Sequence, residues 1–457
     1  MLIATLACCL AVQVGVLQAD FRASDPGVRS DPPTGPASAG APIAGLTVQE
    51  LKLFEAGLDD FKEVDSIGSG LGPRFNGDSC AGCHSGPAIG GSSPALNPQV
   101  KLATDFGAHN IVPFFVKLDG PVREARFKYN PDGTPDGGVH ALFVISGRND
   151  GTGDASKCTI TQEDFQAQAH KGNLVFRIPT PAFGAGLIES IPDSAIVANL
   201  AATANSKAAL GIGGRPNRTR MTGSPNTSGN DGTVTRFGWK AQNKSLLIFA
   251  GEAYNVEQGI SNELFPQERD ETPSCQFASA PNDTTNPNGK TPADTLSGPE
   301  RFAFFMRFLA PPTPSTTRPG GANSIANGKT LFQKTGCAYC HTPTLYTGKT
   351  TVVALRSKPV NLYSDLALHQ MGPGLADEIS QGQAGGDEFR TAPLWGLGQR
   401  IFFLHDGRTK DLIASIQAHK SVGNSKYPAS EANGVVDNFN QLSQAQQQDL
   451  LNFLRSL

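Results

Sequence analysis

Apolar residues return every three or four positions in LTVQELKLFEAGLDDFKEVD, where Leu51, Leu53, Phe54, Leu58 and Phe61 would share one helical face. Thr47 and Glu50 stand at the spacing of a capping box, which predicts that a helix begins there. A second amphipathic helix is predicted from about Pro299 to Leu309, because Pro311 and Pro312 cannot continue it. The chain closes on a third, QDLLNFLRSL. Between the first two, PFFVKLDG and VREARFKYNPDGTPDGGVHALFVIS alternate apolar and polar residues around a turn-rich break, the pattern of strands. The chain is therefore expected to be mainly α, its first half expanded by long loops and a small β insertion.

The pattern also suggests a repeat. A helix, a cysteine pair followed by histidine, long loops and a closing helix occur in that order twice, and the closing helices RFAFFMRFL and QDLLNFLRSL end alike. RFGWKAQ and FRTAPLWGLGQR are a second corresponding pair. The expected boundaries are an N-terminal unit over 45–312, a linker over 313–322 rich in Pro, Ser and Thr, and a C-terminal unit over 323–457. Residues 20–44, rich in Pro, Ala, Gly and Ser, are expected to form a linker or a wrapped arm.

Residues 1–19, MLIATLACCLAVQVGVLQA, are apolar and uncharged and end in Ala before Asp20, which predicts a secretory signal and a periplasmic protein. The missing basic start leaves an uncleaved membrane anchor as the alternative, while the residues before Cys8 and Cys9 fit a lipid-attachment box poorly. No later stretch is apolar for long enough to span a bilayer, so the mature body is not expected to cross one. The 51 Gly and 33 Pro among 457 residues favour loops, and a net charge of -3 with no basic block excludes a nucleic-acid partner. In an oxidising compartment the distant Cys158 and Cys275 are expected to pair as a disulfide.

The remaining cysteines carry the chemistry. Cys80, Cys83 and His84 form CAGCH, and Cys337, Cys340 and His341 form CAYCH. Zinc would need a second pair of ligands at each site, which the sequence lacks nearby. A thioredoxin-like pair needs no adjacent histidine and normally lies beside a βαβ pattern. Two thiols on one tight turn can instead reach the two vinyl groups of a porphyrin while the adjacent imidazole meets the iron, so two covalently bound c-type haems are expected, with His84 and His341 as axial ligands.

For the other face of the second haem, Met371 in LHQMGPGLAD is the expected ligand and His369 the runner-up. Met306 falls on an apolar helical stripe and Met221 in a polar loop. His109, His140 and His170 are weak candidates for the first haem, which is therefore expected to keep an open face that binds peroxide or dioxygen. Breaking an O–O bond needs a group that moves a proton between its two oxygens, and Glu189, Glu252 and Glu257 are carboxylates in otherwise apolar contexts suited to that task.

GLGPRFNGDSCAGCHSGPAIGGSS, FRIPTPAFGAGLIESIPD, RFGWKAQNKSLLIFAGEAYNVEQGISNELFP, FAFFMRFLAPP, LYSDLALHQMGPGLAD and EFRTAPLWGLGQRIFFLHDGR together resemble the bacterial di-haem oxidoreductase family, from about Val48 to Leu457. That family carries a thiol-oxidoreductase label and is related to the di-haem cytochrome c peroxidases and to the di-haem enzyme that matures the quinone of methylamine dehydrogenase. The resemblance implies two cytochrome c-like domains, a reactive haem at His84 and an electron-transfer haem at His341 with Met371. It also implies a tryptophan between the haems, either Trp239 or Trp395. The expected function is an exported peroxidase-like di-haem oxidoreductase that receives electrons from a redox protein partner. A non-catalytic di-haem electron-transfer cytochrome is the rival. Some relatives hold Ca2+ between domains, and NPDGTPDGG has oxygen ligands of that kind, though it is as readily a turn.

Overall fold

The computed structural model describes residues 22–29, 39–218 and 233–457. The leader 1–19 with Cys8 and Cys9, and Met221, lie outside the described residues. Helices carry most of the regular structure and the sheets are small. Six helices frame the molecule: α1 (Val48–Lys62), α2 (Leu246–Gln258), α3 (Gly298–Phe308), α4 (Gly321–Lys334), α5 (Leu412–Ala418) and α6 (Gln444–Ser456).

The predicted capping box closes the start of α1: Glu50 N–H donates to the Thr47 hydroxyl, and Thr47 N–H donates to the Glu50 carboxylate. Phe54 and Phe61 are buried, while Leu51 at the start of the helix remains exposed. The helix packs across α3, and α4 packs across α6 in the same manner. Each crossing turns on a glycine. A Cβ on Gly57 would stand 2.1 Å from the Arg301 carbonyl oxygen, and one on Gly328 would stand 1.9 Å from that of Asp449, so neither backbone approach tolerates a side chain. Four residues beyond each glycine comes a phenylalanine that faces the histidine of the following motif: Phe61 lies 6.0 Å from His84 and Phe332 lies 6.4 Å from His341, between ring centres. Each phenylalanine in turn meets one on the closing helix, Phe305 at 4.7 Å and Phe453 at 5.4 Å.

Three short antiparallel strands lie between these frames, β1 (Glu124–Phe127) between β2 (Val139–His140) and β3 (Leu174–Arg177), with Ala125 opposite both His140 and Phe176. PFFVKLDG does not join them. Val116 N–H donates to the Pro113 carbonyl in a turn, and Phe115 is buried against Phe165 and Phe176, so burial of a turn produced the alternation read there as a strand. In the candidate calcium segment, Asp132 accepts from Thr134 and Asp136 from Gly138 and His140, the bonds of a turn. Residues 22–29 run along α6, where Asp25 receives two bonds of 2.7 Å from Arg455.

The sulfurs of Cys158 and Cys275 are 2.17 Å apart, closing a disulfide across 117 residues. Replacing both by alanine is expected to lower stability by about 4–5 kcal/mol on the chain-entropy model. A urea titration checks it, and an unchanged midpoint would show that the link adds nothing.

Candidate haem-binding sites

Each Cys-Cys-His motif opens onto a hollow beside its helix pair. The first encloses about 1810 Å³ and the second about 1430 Å³, open mouths included. Cys80 and Cys83 stand one turn apart on a short helix at the edge of the first, with free thiols that burial pushes up. His84 Nδ1–H donates to the Gly91 carbonyl at 3.0 Å, the Thr180 backbone also lies against the ring, and burial lowers the imidazole's affinity for a proton, so the ring is neutral with its Nε2 unprotonated. His341 repeats this arrangement at the second hollow, its Nδ1–H donating to Tyr363 at 3.0 Å. Burial, and then the neighbouring His419, push it down to about 4.

Trp239, Arg390, Ala392 and Arg400 line both hollows and so form the wall between them. Trp239 Nε1–H donates to Ile178 at 2.9 Å, which fixes the plane of the indole. Trp395 lines the first hollow alone. Burial lowers Arg400 to about 10, and burial with the charge of Arg400 does the same to Arg390. Arg390 bonds the carbonyls of Gly238 and Thr391. No carboxylate neutralises either guanidinium among the bonds of the described residues. Only the charge of Asp365 acts on Arg390 from farther off, and the propionates of a porphyrin in either hollow would supply the anion that these two cations lack. Free thiol pairs, unprotonated imidazole nitrogens and these two cations fit haem.

Residues 123–457 match the model of the family described as "Di-haem oxidoreductase, putative peroxidase". The chain belongs to this di-haem oxidoreductase family. The match holds the second Cys-Cys-His motif, and the first lies upstream of it. No curated protein matches the sequence. Among solved structures, the chain is similar to hydrazine synthase of Kuenenia stuttgartiensis, at 14% identity over 99% of this chain and 100% of that one, with a TM-score of 0.36. It is also similar to a MauG-like protein associated with microbial copper homeostasis, at 18% identity over 37% and 55% of the two chains, with a TM-score of 0.26. For the di-haem peroxidase BthA of Burkholderia thailandensis the figures are 14% identity, 49% and 65% of the two chains, and a TM-score of 0.29.

Within this di-haem oxidoreductase the first hollow gathers a carboxyl cluster. Glu124 and Arg126, two apart on β1, point to the same face and pair with each other. Burial would raise Glu124, but Arg126 and then Arg177 more than offset it and hold it ionised. Glu257, near the end of α2, is hydrogen-bonded to Glu124, and burial followed by the charge of Glu124 raises its pKa well above the usual carboxylate range. The two carboxyls are thus driven apart in proton affinity, Glu257 upward and Glu124 downward. Glu252, one and a half turns earlier, lines the same hollow, raised by burial and bonded to the Asn243 amide.

The other predicted residues fall in varied places. Glu189 lies outside both linings; it accepts from Arg307 at 2.7 Å and from the Leu246 N–H at the start of α2 at 2.9 Å. Of the histidines, His84 alone lines the first hollow. His109 and His170 are exposed, and His140 stacks on Phe127 at 3.6 Å. Met306 is buried in α3 and reaches the first hollow beside Phe302. Met371 lines the second hollow, packed with Leu375 and Phe389. His369 has both ring nitrogens against carboxylates, Nδ1 on Glu431 at 2.7 Å and Nε2 on Asp365 at 2.9 Å, which leaves neither for a metal. The sequence reading passed over Glu124, Arg126, Arg390, Arg400 and His419. The i, i+2 alternation of Glu124 and Arg126 was the one local signal among them.

Proposed function

We propose that the protein is an exported two-unit c-type di-haem enzyme that reduces peroxide, or another small oxidant such as dioxygen, in the N-terminal hollow, with electrons from a redox protein partner entering at the C-terminal one. Cys80 and Cys83 would hold one haem by thioethers with His84 on its iron, and Cys337, Cys340 and His341 would hold the other. Bound there, haem supplies redox-active iron able to take up a peroxide oxygen. The chain's own part in the chemistry is proton handling. Glu257 carries a proton into a largely apolar hollow, Glu124 accepts its hydrogen bond, and Arg126 keeps Glu124 charged, so a proton can leave Glu257 Oε and return by way of its partner. The meeting of Glu257, Glu124 and Arg126 in the wall that also bears His84 is the observation that carries this reading over that of a simple electron carrier.

The disulfide and the apolar leader support export, since such a bond persists outside the reducing cytosol. No described helix is long and apolar enough to cross a membrane. The repeated glycine crossing, phenylalanine pair and Cys-Cys-His motif support two related units divided near 313–322.

The test is electron paramagnetic resonance of the mature protein, oxidised and half-reduced, before and after peroxide. A high-spin signal that peroxide removes is expected. Wholly low-spin signals unchanged by peroxide in both states would leave the electron carrier instead.

Trp239 is placed to pass electrons between the two hollows. Its replacement by phenylalanine is expected to slow peroxide-driven oxidation of the C-terminal site in stopped-flow records, with haem content unchanged. An equal rate would remove the indole from the path, and Trp395→Phe is the matching control.

A further inference from the structure

Three of the eight histidines share one arrangement. His84, His341 and His419 each donate Nδ1–H to a backbone carbonyl, at 3.0, 3.0 and 2.7 Å, and each lines a hollow. A carbonyl oxygen only accepts, so the proton of each neutral ring is on Nδ1 and Nε2 is left unprotonated. That second bond is what orients an imidazole toward a metal. For His84 and His341 the role follows from the adjacent cysteines. His419 has no such motif, and the carbonyl it uses is that of Ser415, one turn back on α5.

Its position matches the orientation. His419 follows the last residue of α5 and lines the hollow of Cys337, Cys340 and His341. Its ring and that of His341 line one and the same space. Ala418, its neighbour in the chain, packs against the cluster of Met371, Leu375 and Phe389, and both His419 and Met371 line this hollow. His405 also lines this hollow, but its ring is stacked on Phe389 at 4.3 Å and lacks the bond to a carbonyl.

We propose that His419, rather than Met371, is the second axial ligand of the C-terminal haem, which is thus held between two imidazoles. Met371 then serves as apolar wall beside it, a common use of a flexible thioether. The assignment rests on the di-haem reading above. A bis-imidazole iron has a lower potential than one with a thioether ligand, which suits a site that must pass electrons on to a strong oxidant.

The holoprotein tests it directly. Haem content is counted first in denaturing pyridine: two per chain upholds the di-haem reading, and fewer overturns both. With two present, near-infrared magnetic circular dichroism of the oxidised protein distinguishes the ligands, because a thioether on ferric iron adds a charge-transfer band that two imidazoles lack. No such band is expected, and its presence would overturn the assignment while leaving the di-haem reading intact. His419→Gly is expected to turn the C-terminal haem high-spin, with low-spin signal restored by added imidazole, whereas Met371→Leu should leave the low-spin spectrum in place. Conversion to high spin by Met371→Leu or His405→Phe, with His419→Gly silent, would reassign the ligand.

Discussion

Glu257→Gln is expected to lower peroxide turnover by about 10²–10⁴-fold, the usual cost of removing a general acid–base group, with both haems still attached. Glutamine keeps the size and the hydrogen bond to Glu124, since its amide N–H can donate where the carboxyl O–H did. What it cannot do is release that proton. Burial and the charge of Glu124 hold the proton on Glu257 at neutral pH, so the wild-type rate should fall on the alkaline side as the proton is lost, and that limb should vanish in the variant. Glu252→Gln is the control, because Glu252 shares the hollow but binds Asn243 instead of a second carboxylate. Steady-state peroxide consumption with an artificial donor measures all three proteins. A Glu257→Gln rate within about threefold of wild type, with Glu252→Gln strongly impaired, would move the role to Glu252; this threshold is small beside the general-catalysis range.

Asp377→Asn should lower stability by about 3–5 kcal/mol, because it removes the carboxylate that pairs two buried cations. Asp377 accepts from Arg177 at 2.7 Å and from Lys240 at 3.0 Å, and all three side chains are almost wholly buried. Burial alone would raise Asp377, yet Arg177 and Lys240 hold it at about 2. The folded value lies below the unfolded 3.8, so this stabilisation is full above 3.8 and is lost as pH falls toward 2. The variant should lack that part of the acid transition. Lys240, which burial lowers to about 8 in the wild type, sheds its proton at a lower pH once Asp377 is gone, so its part of the deficit should shrink as pH rises toward 8 and be absent above it. Urea midpoints across this range check both statements. A loss below about 1 kcal/mol, the scale of an exposed pair, would mean that water reaches the cluster.

These three residues also show where sequence reading stops. Arg177 ends β3, Lys240 follows Trp239, and Asp377 lies in the loop after Met371, and no spacing in the chain announces that they meet. The same holds for Glu124 and Glu257. Glu257 stands among apolar residues and is a candidate by sequence, whereas Glu124 lies between two arginines in an alternating strand, a setting that fits a solvent face equally well. Glu189 looked equally suitable and proved to be engaged by Arg307 and the start of α2. His369, the runner-up ligand by sequence, holds two carboxylates instead, and these come from positions 4 and 62 residues away.

The sequence by itself determined the helices that frame each motif, the capping box at Thr47 and Glu50, the two Cys-Cys-His segments and membership of the di-haem oxidoreductase family. These depend on local periodicity and close spacing, which a linear chain displays directly. The glycine four residues before Phe61, and its counterpart before Phe332, were also present in the letters, but their purpose appears only where one helix crosses another. Tertiary structure alone decided which carboxylates meet in one hollow, which tryptophan lines both hollows and which histidines donate Nδ1–H to a backbone carbonyl. The reason is physical: pKa, tautomer and ligand availability are set by burial and by partners far away in sequence, and folding is what brings those partners within a few ångströms.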